Sequence, residues 1–523
     1  MAHKEWHRDK WRAIYKKPDG GYKKTIMDDQ GNIFGDDGEA AQRFGDYQEE
    51  LIRRGKWVDP DASKITFGEW ANLWIAGQDL EPSTMRNYRF MLQGHLIPVF
   101  AARALDSFRV EEMAPWERSI VAAGYAPRTA YDARSLLINI LGDAVPKYIP
   151  FNPAARRRGK GKKGTRRVQA HLRAEKAWGT PLQAILIAER AAMLAGSDDV
   201  FDALVTLGWT GMRWSEMLAL KPDAITPDGR LYVRWKLYEM SGDFYWGFPK
   251  DGSIRYLHIP DFLLARLRVR AAAATASTCT CTGRDEELPR VDGEEAIEWC
   301  TGAPTLFRTP GHAHYERGAF SARVMRPAAD GEYPAKKGAR ARPARPVLVD
   351  VAAHTPRSEE RDGRLVVDVS AAAAWPGRPV YWPWPKAEKG QPFEPPRGRG
   401  RPNWAAWPEG EQPHLASWLP ILPKLTPHGL RHGYQTWMDD GSIKKALVVS
   451  QMGHEDLSMS GVYGHITDKM VADLKGLMQG LWELGIAQRY QIWPYSPVPA
   501  LDAELARWRE GTGGGEITLI RPA

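Results

Sequence analysis

Along Lys10–Lys17 apolar and polar positions alternate, with Trp11, Ala13 and Tyr15 on one side and Arg12, Ile14 and Lys16 on the other. That period of two marks a half-buried strand. The PDGG that follows is a strong turn, YKKTIM predicts a second strand, and DDQGN turns the chain into a short third strand, IFG. Glu39–Arg54 then carries a helical period. From Asp61 to Pro153 the period is helical throughout. Thr66 and Glu69 have the spacing of a capping box, and Phe67, Trp70 and Trp74 fall on one face. Amphipathic segments continue through Met85–Leu96, Val110–Ala122 and Arg128–Ala144, separated by Pro98, Gly124 and Pro146, which predicts a four-helix unit of about ninety residues.

A second capping box, Thr180–Gln183 with Pro181 at the first helical position, opens a helix over Pro181–Gly196. Another spans Asp199–Leu220 and breaks near Thr210–Gly211. RLYVRWKLYE and YWGFPKDGSIRYLHI predict two or three strands with Lys250 at a tight turn between them, and Phe262–Ala274 returns to helix. Between about 277 and 419 the period is lost among Pro, Gly, Arg and Trp, which predicts a loop-rich insertion ordered only where Trp375, Trp382 and Trp384 cover apolar surface. Helical pattern resumes at HGLRHGYQTWM and runs to about Leu484, ahead of a tail rich in Pro and Gly. The pattern as a whole predicts a multidomain, mainly α chain: a small three-stranded β and helix domain at 1–60, a helical domain at 61–155, a linker at 156–178, an α+β, mostly helical domain at 179–485 and a tail at 486–523.

Composition narrows the function. The chain has 523 residues, 43% of them hydrophobic, which is ordinary for folded domains and argues against wholesale disorder. No apolar run approaches the ~20 residues of a membrane span, and the charged start MAHKEWHRDKWR lacks an apolar signal core, so a cytoplasmic protein with no membrane partner is expected. Three cysteines cannot staple a chain this long, which fits a reducing compartment. The net charge of +8 is concentrated: RRRGKGKKGTRR alone, from Arg156 to Arg167, holds 8 basic residues and no acid. So dense a run of like charge, with three glycines, predicts an extended, solvated segment. It is either a flexible linker or a linker laid on an anionic polymer. If Arg156, Arg157, Arg158, Lys160, Lys162, Lys163, Arg166 and Arg167 all met DNA phosphates, the salt slope of binding from this segment would be roughly −7. Lys4–Lys24 holds 8 basic and 3 acidic residues, so Arg12 and Lys16 are further candidates for DNA contact, with a merely solubilising face as the alternative.

Four distant pieces carry the candidate chemistry. TGMRWSEMLAL puts Arg213 at a helix start after a glycine turn, with Glu216 one turn later; PKDGSIR puts Lys250 at a hairpin tip; HGLRH puts His428 and Arg431 on one helical face; QMGHEDLSMSGVYGH spaces His454 and Tyr463 nine residues apart. Singly, each has a plain structural explanation: an ion pair, a solvated lysine, a half-buried tyrosine. His428 and His432 lack a nearby carboxylate or thiol at metal-ligand spacing. Elsewhere Cys279, Cys281 and Cys300 are weak candidates for a zinc knuckle, with His312 and His314 nearby and no evident fourth ligand.

Together, in order and spacing, the four boxes closely resemble the catalytic domain of the tyrosine recombinases, the phage-integrase family. The four-helix unit resembles that family's core-binding domain and the first sixty residues its arm-type DNA-binding domain. The resemblance implies cleavage and rejoining of double-stranded DNA through a 3′-phosphotyrosyl intermediate without any cofactor. It gives Tyr463 as nucleophile, Arg213 and Arg431 as the phosphate clamp, His428 in proton traffic, His454 as a donor to the phosphate, Lys250 as general acid and Glu216 as the brace behind them. It further implies a tetramer on DNA that binds core and arm attachment sites, with an excisionase and a host DNA-bending protein as companions, and Lys469–Leu484 as a segment able to dock on a neighbouring subunit. Two features depart from the family. Lys250 and His428 lie 178 residues apart, and Lys336–Ser417 has no recognised counterpart, although PTLFRTPGHAHYERGAFSARVMRPAADG is similar to the stretch before the second box. A resolvase of the Xer type, a type IB topoisomerase and an inactive DNA-binding protein are the alternatives. The extra N-terminal domain argues against the first two, and the filled catalytic positions against the third.

Overall fold

The computed structural model describes residues 1–29, 31–55, 57, 64–156, 177–283, 298–336, 341, 343–350, 357–361, 364–368, 378–379, 415–453 and 465–511. Among these, the residues up to 156 form one compact unit and those from 177 onward form most of a second. The architecture is mainly helical, with small antiparallel sheets.

The first unit opens with β1 (His3–His7), β2 (Lys10–Lys16) and β3 (Tyr22–Thr25), a sheet in the order β1-β2-β3. The expected third strand at IFG is reduced to one bridge, Met27 to Ile33. Its place is taken by β1, which pairs with β2 in the register Trp6 to Trp11. The polar string HKEWH hides this strand because only Trp6 supplies a large apolar side chain. Helix α1 (Gly38–Arg53) lies across the sheet. A Cβ on Gly38 would come within 2.8 Å of the Trp11 ring, so the helix starts in contact with that face. Ala13, Phe34 and Ala41 form the small core between them.

Helices α2 (Phe67–Ala76), α3 (Pro82–Met91), α4 (Ile97–Phe100), α5 (Val110–Ala122) and α6 (Pro127–Gly142) complete the unit, with a π-helical turn at Leu92–Leu96 joining α3 to α4. Pro98 therefore sits in the first turn of α4, a position that needs no backbone N–H, and does not end the helical path. The Thr66–Glu69 capping box is closed at the start of α2. Trp74 is buried and Trp70 half-buried, and they donate their indole N–H groups to Asp143 Oδ2 (2.6 Å) and Ile140 O (2.9 Å), which fixes α2 against the end of α6.

The second unit is built around α7 (Pro181–Ala195) and α8 (Asp198–Thr210), two apolar helices in one core with α9 (Trp214–Leu218), α10 (Asp261–Thr275) and the C-terminal helices. Four strands lie beside them: β4 (Leu231–Val233), β5 (Lys236–Met240), β6 (Asp243–Gly247) and β7 (Arg255–Leu257). They form two pairs, β4 with β7 and β5 with β6. Lys250 is therefore not at a hairpin tip. It opens a 3₁₀ turn, Lys250–Gly252, between strands of different pairs, because Pro249 has no N–H to extend the β6 ladder.

The stretch predicted as loops holds more structure than its texture suggests. Helices α11 (Arg317–Phe320) and α12 (Arg326–Asp330) bracket a π-helical turn, and β8 (Glu332–Tyr333) pairs with β9 (Arg345–Pro346). A three-stranded sheet follows, with β10 (Leu348–Asp350) central; β11 (Arg357–Arg361) and β12 (Arg364–Asp368) form a hairpin, and β13 (Arg378–Pro379) and β14 (Leu415–Ser417) flank β10. Trp375, Trp382 and Trp384 lie outside the described residues.

Helices α13 (Pro427–Asp440), α14 (Lys445–Met452), α15 (Asp468–Ile492) and α16 (Pro499–Arg509) finish the unit. Two expectations change here. The apolar stripe of α15, Leu474, Met478, Trp482 and Ile486, is buried in the core of its own unit, so the face expected to dock on a neighbour is already occupied. The supposed tail contains α16, whose Leu501 and Leu505 are fully buried in the same core. No described helix is long and apolar enough to cross a membrane.

Candidate active site

The site is assembled where α8 stops. Gly211 has φ of +62°, and a Cβ there would lie 2.4 Å from the Tyr434 ring and 2.9 Å from Met452 Sδ, so both the left-handed turn and the close approach require glycine. The turn delivers Arg213 to the N-cap of α9. Glu216, one turn on, accepts from the Arg213 backbone N–H (2.8 Å) and from its Nη1 (2.8 Å).

Glu216 binds a second guanidinium that the sequence reading did not single out. Arg255 of β7 donates Nη2 to Glu216 Oε2 at 2.8 Å and Nη1 to Oε1 at 3.3 Å, while its Nε donates to Gln451 O at 3.0 Å. A signal for it exists: in SIRYLHI the inward positions are Arg255, Leu257 and Ile259, all buried, whereas Ile254 and Tyr256 face out. An arginine in phase with buried apolar residues requires a buried carboxylate. Burial alone would raise the Glu216 pKa, but hydrogen bonds from Arg255, its charge and the two donors of Arg213 outweigh that and hold the carboxyl below its usual 4.5.

Arg431, from the first turns of α13, enters from the other side. Its Nη1 donates to Gly211 O and its Nη2 to Met452 O, both at 2.6 Å. Arg213 Nη2 reaches Gly453 O at 3.4 Å. Thus Arg213, Arg255 and Arg431 all converge on residues 451–453, the C-terminal end of α14. Gly453 caps that helix with φ of +60°, and a Cβ there would come within 3.0 Å of the Arg255 guanidinium. Three cations against one carboxylate leave a net +2. Burial first, then the nearby Arg213 and Arg255 charges, lower the Arg431 pKa to about 10, so it remains protonated at neutral pH. The side chain of Arg213 is 24% exposed and that of Arg255 7%. An incoming anion can therefore meet the first, while the second serves as a brace.

Other expected residues are placed as follows. Arg213 Nη1 contacts Ser253 Oγ at 3.3 Å, which sets the Lys250–Gly252 turn beside the cluster, with Lys250 itself exposed. His428 begins α13 and is exposed, its ring 4.7 Å from that of His432, whereas Arg431 on the same helix is buried. His454 and Tyr463 lie outside the described residues, which resume at His465. Tyr434, the tyrosine buried against Gly211, is ill suited as a nucleophile because burial raises its phenol pKa well above the usual range.

Among the basic candidates, Arg156 differs from the expected solvated segment. It is pinned to the first unit by Nη2 bonds to Glu117 Oε1 (3.1 Å) and Tyr131 O (3.2 Å) and stacks over the Tyr131 ring at 3.6 Å. A partner carboxylate and an aromatic face compete successfully with solvent for a planar guanidinium. Arg157, Arg158, Lys160, Lys162, Lys163, Arg166 and Arg167 lie outside the described residues. Arg12 donates to Glu5 at 2.6 Å across the β1–β2 pair, so it is partly neutralised, and Lys16 is exposed. Cys279, Cys281 and Cys300 come together in the second unit, with the side chain of His314 beside them, a fourth candidate that spacing alone does not reveal.

No family model matches the chain. A tyrosine recombinase, XerD, of Oceanobacillus iheyensis is 37% identical over 54 residues, covering 10% of this chain and 18% of that protein. A putative prophage phiRv2 integrase of Mycobacterium tuberculosis is 24% identical over 272 residues, covering 50% of this chain and 67% of the relative. The chain thus spans under a fifth of the first relative and about two thirds of the second. Among solved structures, a Tn1549 transposon integrase in complex with transposon right end DNA has a TM-score of 0.44 at 14% identity, covering 78% of this chain and 97% of that one. A lambda integrase dimer bound to a core site has a TM-score of 0.39 at 15% identity, covering 87% and 94%. In sequence the chain is similar to tyrosine recombinases and phage integrases, the family its four boxes resemble.

Proposed function

We propose that the protein is a site-specific tyrosine recombinase that integrates a phage or other mobile element, and excises it in the reverse direction. The observation that carries this reading is the convergence of Arg213 and Arg431 on residues 452–453, immediately before the segment that holds His454 and Tyr463. The cluster is cationic, partly exposed and built on rigid helix ends, which suits a DNA phosphate better than a neutral ligand.

In the reaction, the Tyr463 oxygen attacks the scissile phosphorus and its proton passes to His428. The bond from phosphorus to the 5′-oxygen breaks, and Lys250 protonates the departing oxygen. A phenol with pKa near 10 needs this help at neutral pH. Arg213 and Arg431 bind the two non-bridging oxygens as charge gathers on them, each contributing about 10³ or more in rate by analogy with arginines in other phosphoryl transfers. His454 donates a further hydrogen bond. Glu216 and Arg255 hold Arg213 in position. Attack by the 5′-hydroxyl of the partner strand on the tyrosyl ester releases Tyr463 and rejoins DNA, so the phosphodiester energy is conserved and neither ATP nor a metal takes part.

In this reading residues 1–60 bind arm sites, 61–155 and 179–485 bind the core site, and the basic linker at 156–178 adds contacts to phosphates. Four protomers act on two duplexes, with an excisionase and a host DNA-bending protein setting direction. The buried stripe of α15 is occupied within its own unit, so contacts between protomers would use other surfaces. Incubation with a nicked duplex carrying the attachment site should trap a covalent protein–DNA adduct in the wild type and none in Tyr463→Phe.

A further inference from the structure

Three thiols and an imidazole meet on the far side of the β5–β6 pair. Cys279 and Cys281 follow the end of α10, Cys300 lies on a short extended segment joined to β6, and His314 comes from the loop before α11. The segment is held by Trp246 N–H to Glu298 O (2.7 Å) and Cys300 N–H to Phe244 O (2.8 Å). Cys279 Sγ is 3.4 Å from Cys300 Sγ, and Cys300 Sγ is 3.5 Å from His314 Nε2. All four ligand atoms lie within 4.8 Å of one another. A tetrahedral zinc with Zn–S bonds of about 2.3 Å sets sulfurs roughly 3.8 Å apart, a value between the 3.4 Å of the Cys279–Cys300 pair and the 4.8 Å that bounds the set, so only small shifts would complete it.

The surroundings are those of a structural site. Cys279, Cys300 and His314 are 5%, 1% and 4% exposed, and Phe244 packs edge-on against the His314 ring at 4.9 Å. The Ala303 N–H donates to Cys279 Sγ at 3.1 Å, a bond that favours thiolate over thiol. Two buried cysteines and a third, Cys281, that is half-buried converge here, and none of them forms a disulfide. Thiolate with imidazole selects zinc over calcium or magnesium, and four protein ligands leave no open position for catalysis.

We propose that Cys279, Cys281, Cys300 and His314 bind one structural zinc ion. The ion ties the end of α10, the segment attached to β6 and the 309–316 loop into one knot, and closes the excursion between Cys281 and Cys300. Leu306 N–H, in the same stretch, donates to Leu220 O just beyond α9 (2.8 Å), and β6 ends three residues before Lys250. Metal binding would thus be spent on the scaffold under the Lys250 turn, since binding energy at such a site is folding energy.

The test is metal analysis of the full-length protein purified under reducing conditions without chelator. About one zinc per chain is expected, falling below a tenth of that in Cys300→Ser and staying near one in His314→Cys, which keeps a closed four-ligand set. Because Cys300→Ser could fail to fold, the zinc of the wild-type protein is also exchanged for Co²⁺. One equivalent should give thiolate-to-cobalt charge transfer and the intense visible bands of a tetrahedral ion, displaced by zinc. Wild-type protein with no zinc and no tetrahedral cobalt spectrum would overturn the proposal. So would a disulfide between two of the three cysteines, or unchanged zinc content in a folded Cys300→Ser.

Discussion

Glu216 is the residue on which the cationic cluster turns, because it is 1% exposed and satisfies both Arg213 and Arg255. Removing one member of such a buried pair leaves a charge without its partner, typically costing about 3–5 kcal/mol. Because Glu216 keeps Arg213, Arg255→Met should lower the unfolding free energy of the second unit, measured by urea denaturation, by up to about that amount, and also depress DNA cleavage, since Arg213 loses its brace. The depressed pKa of Glu216 sets the pH dependence. Its contribution is fully present above the unfolded value near 4.5 and is lost as pH falls through the lower folded value. The wild-type protein should lose stability on acidification below about 4.5 more steeply than Glu216→Gln, measured by denaturant unfolding across pH; equal slopes would show that Glu216 is not held ionised. Arg213, Glu216 and Arg431 were legible from motif spacing. Arg255 was not, because its partner lies 39 residues away and only the inward phase of a three-residue strand betrays it.

At the scale of elements, the least expected feature is how the chain end is anchored. Arg489 of α15 and Glu189 of α7 form a fully buried bidentate pair at 2.8 and 2.6 Å, with Ser496 Oγ donating to Glu189 at 2.7 Å and Arg489 reaching the carbonyls of Trp493 and Tyr495. These bonds turn the chain after α15 and seat α16 in the core. Glu189→Ala should destabilise the second unit by about 3–5 kcal/mol, and truncation after Ile492 should do at least as much; a thermal midpoint unchanged by either would mean the anchor carries little. Regular helices are legible in the sequence wherever capping boxes and apolar periods agree, as in α2 and α7. The sequence misled where a polar strand forms by pairing alone, as in β1, and where Pro and Gly hid a helix, as in α16. A glutamate inside AILIAERAAML, Glu189, is the sequence signal of that buried ion pair.

At the scale of the whole molecule, the +8 charge divides between a run that is largely outside the described residues and one arginine, Arg156, that is docked on Tyr131. If the first sixty residues bind a second DNA site, their deletion should abolish integration in a reconstituted assay while cleavage of short core sites persists. Loss of both together would mean that the sheet and α1 support helices α2 to α6 instead. Everything proposed for the site rests on the breaking of DNA through a tyrosine. Its most direct test is to trap the adduct on a nicked duplex carrying the attachment site, digest it and sequence the nucleotide-bearing peptide by mass spectrometry. The expected result is a 3′-phosphotyrosyl link to Tyr463, absent in Tyr463→Phe and strongly reduced in Arg213→Ala and Arg431→Ala. An adduct that persists in Tyr463→Phe, or that maps to another residue, would contradict it.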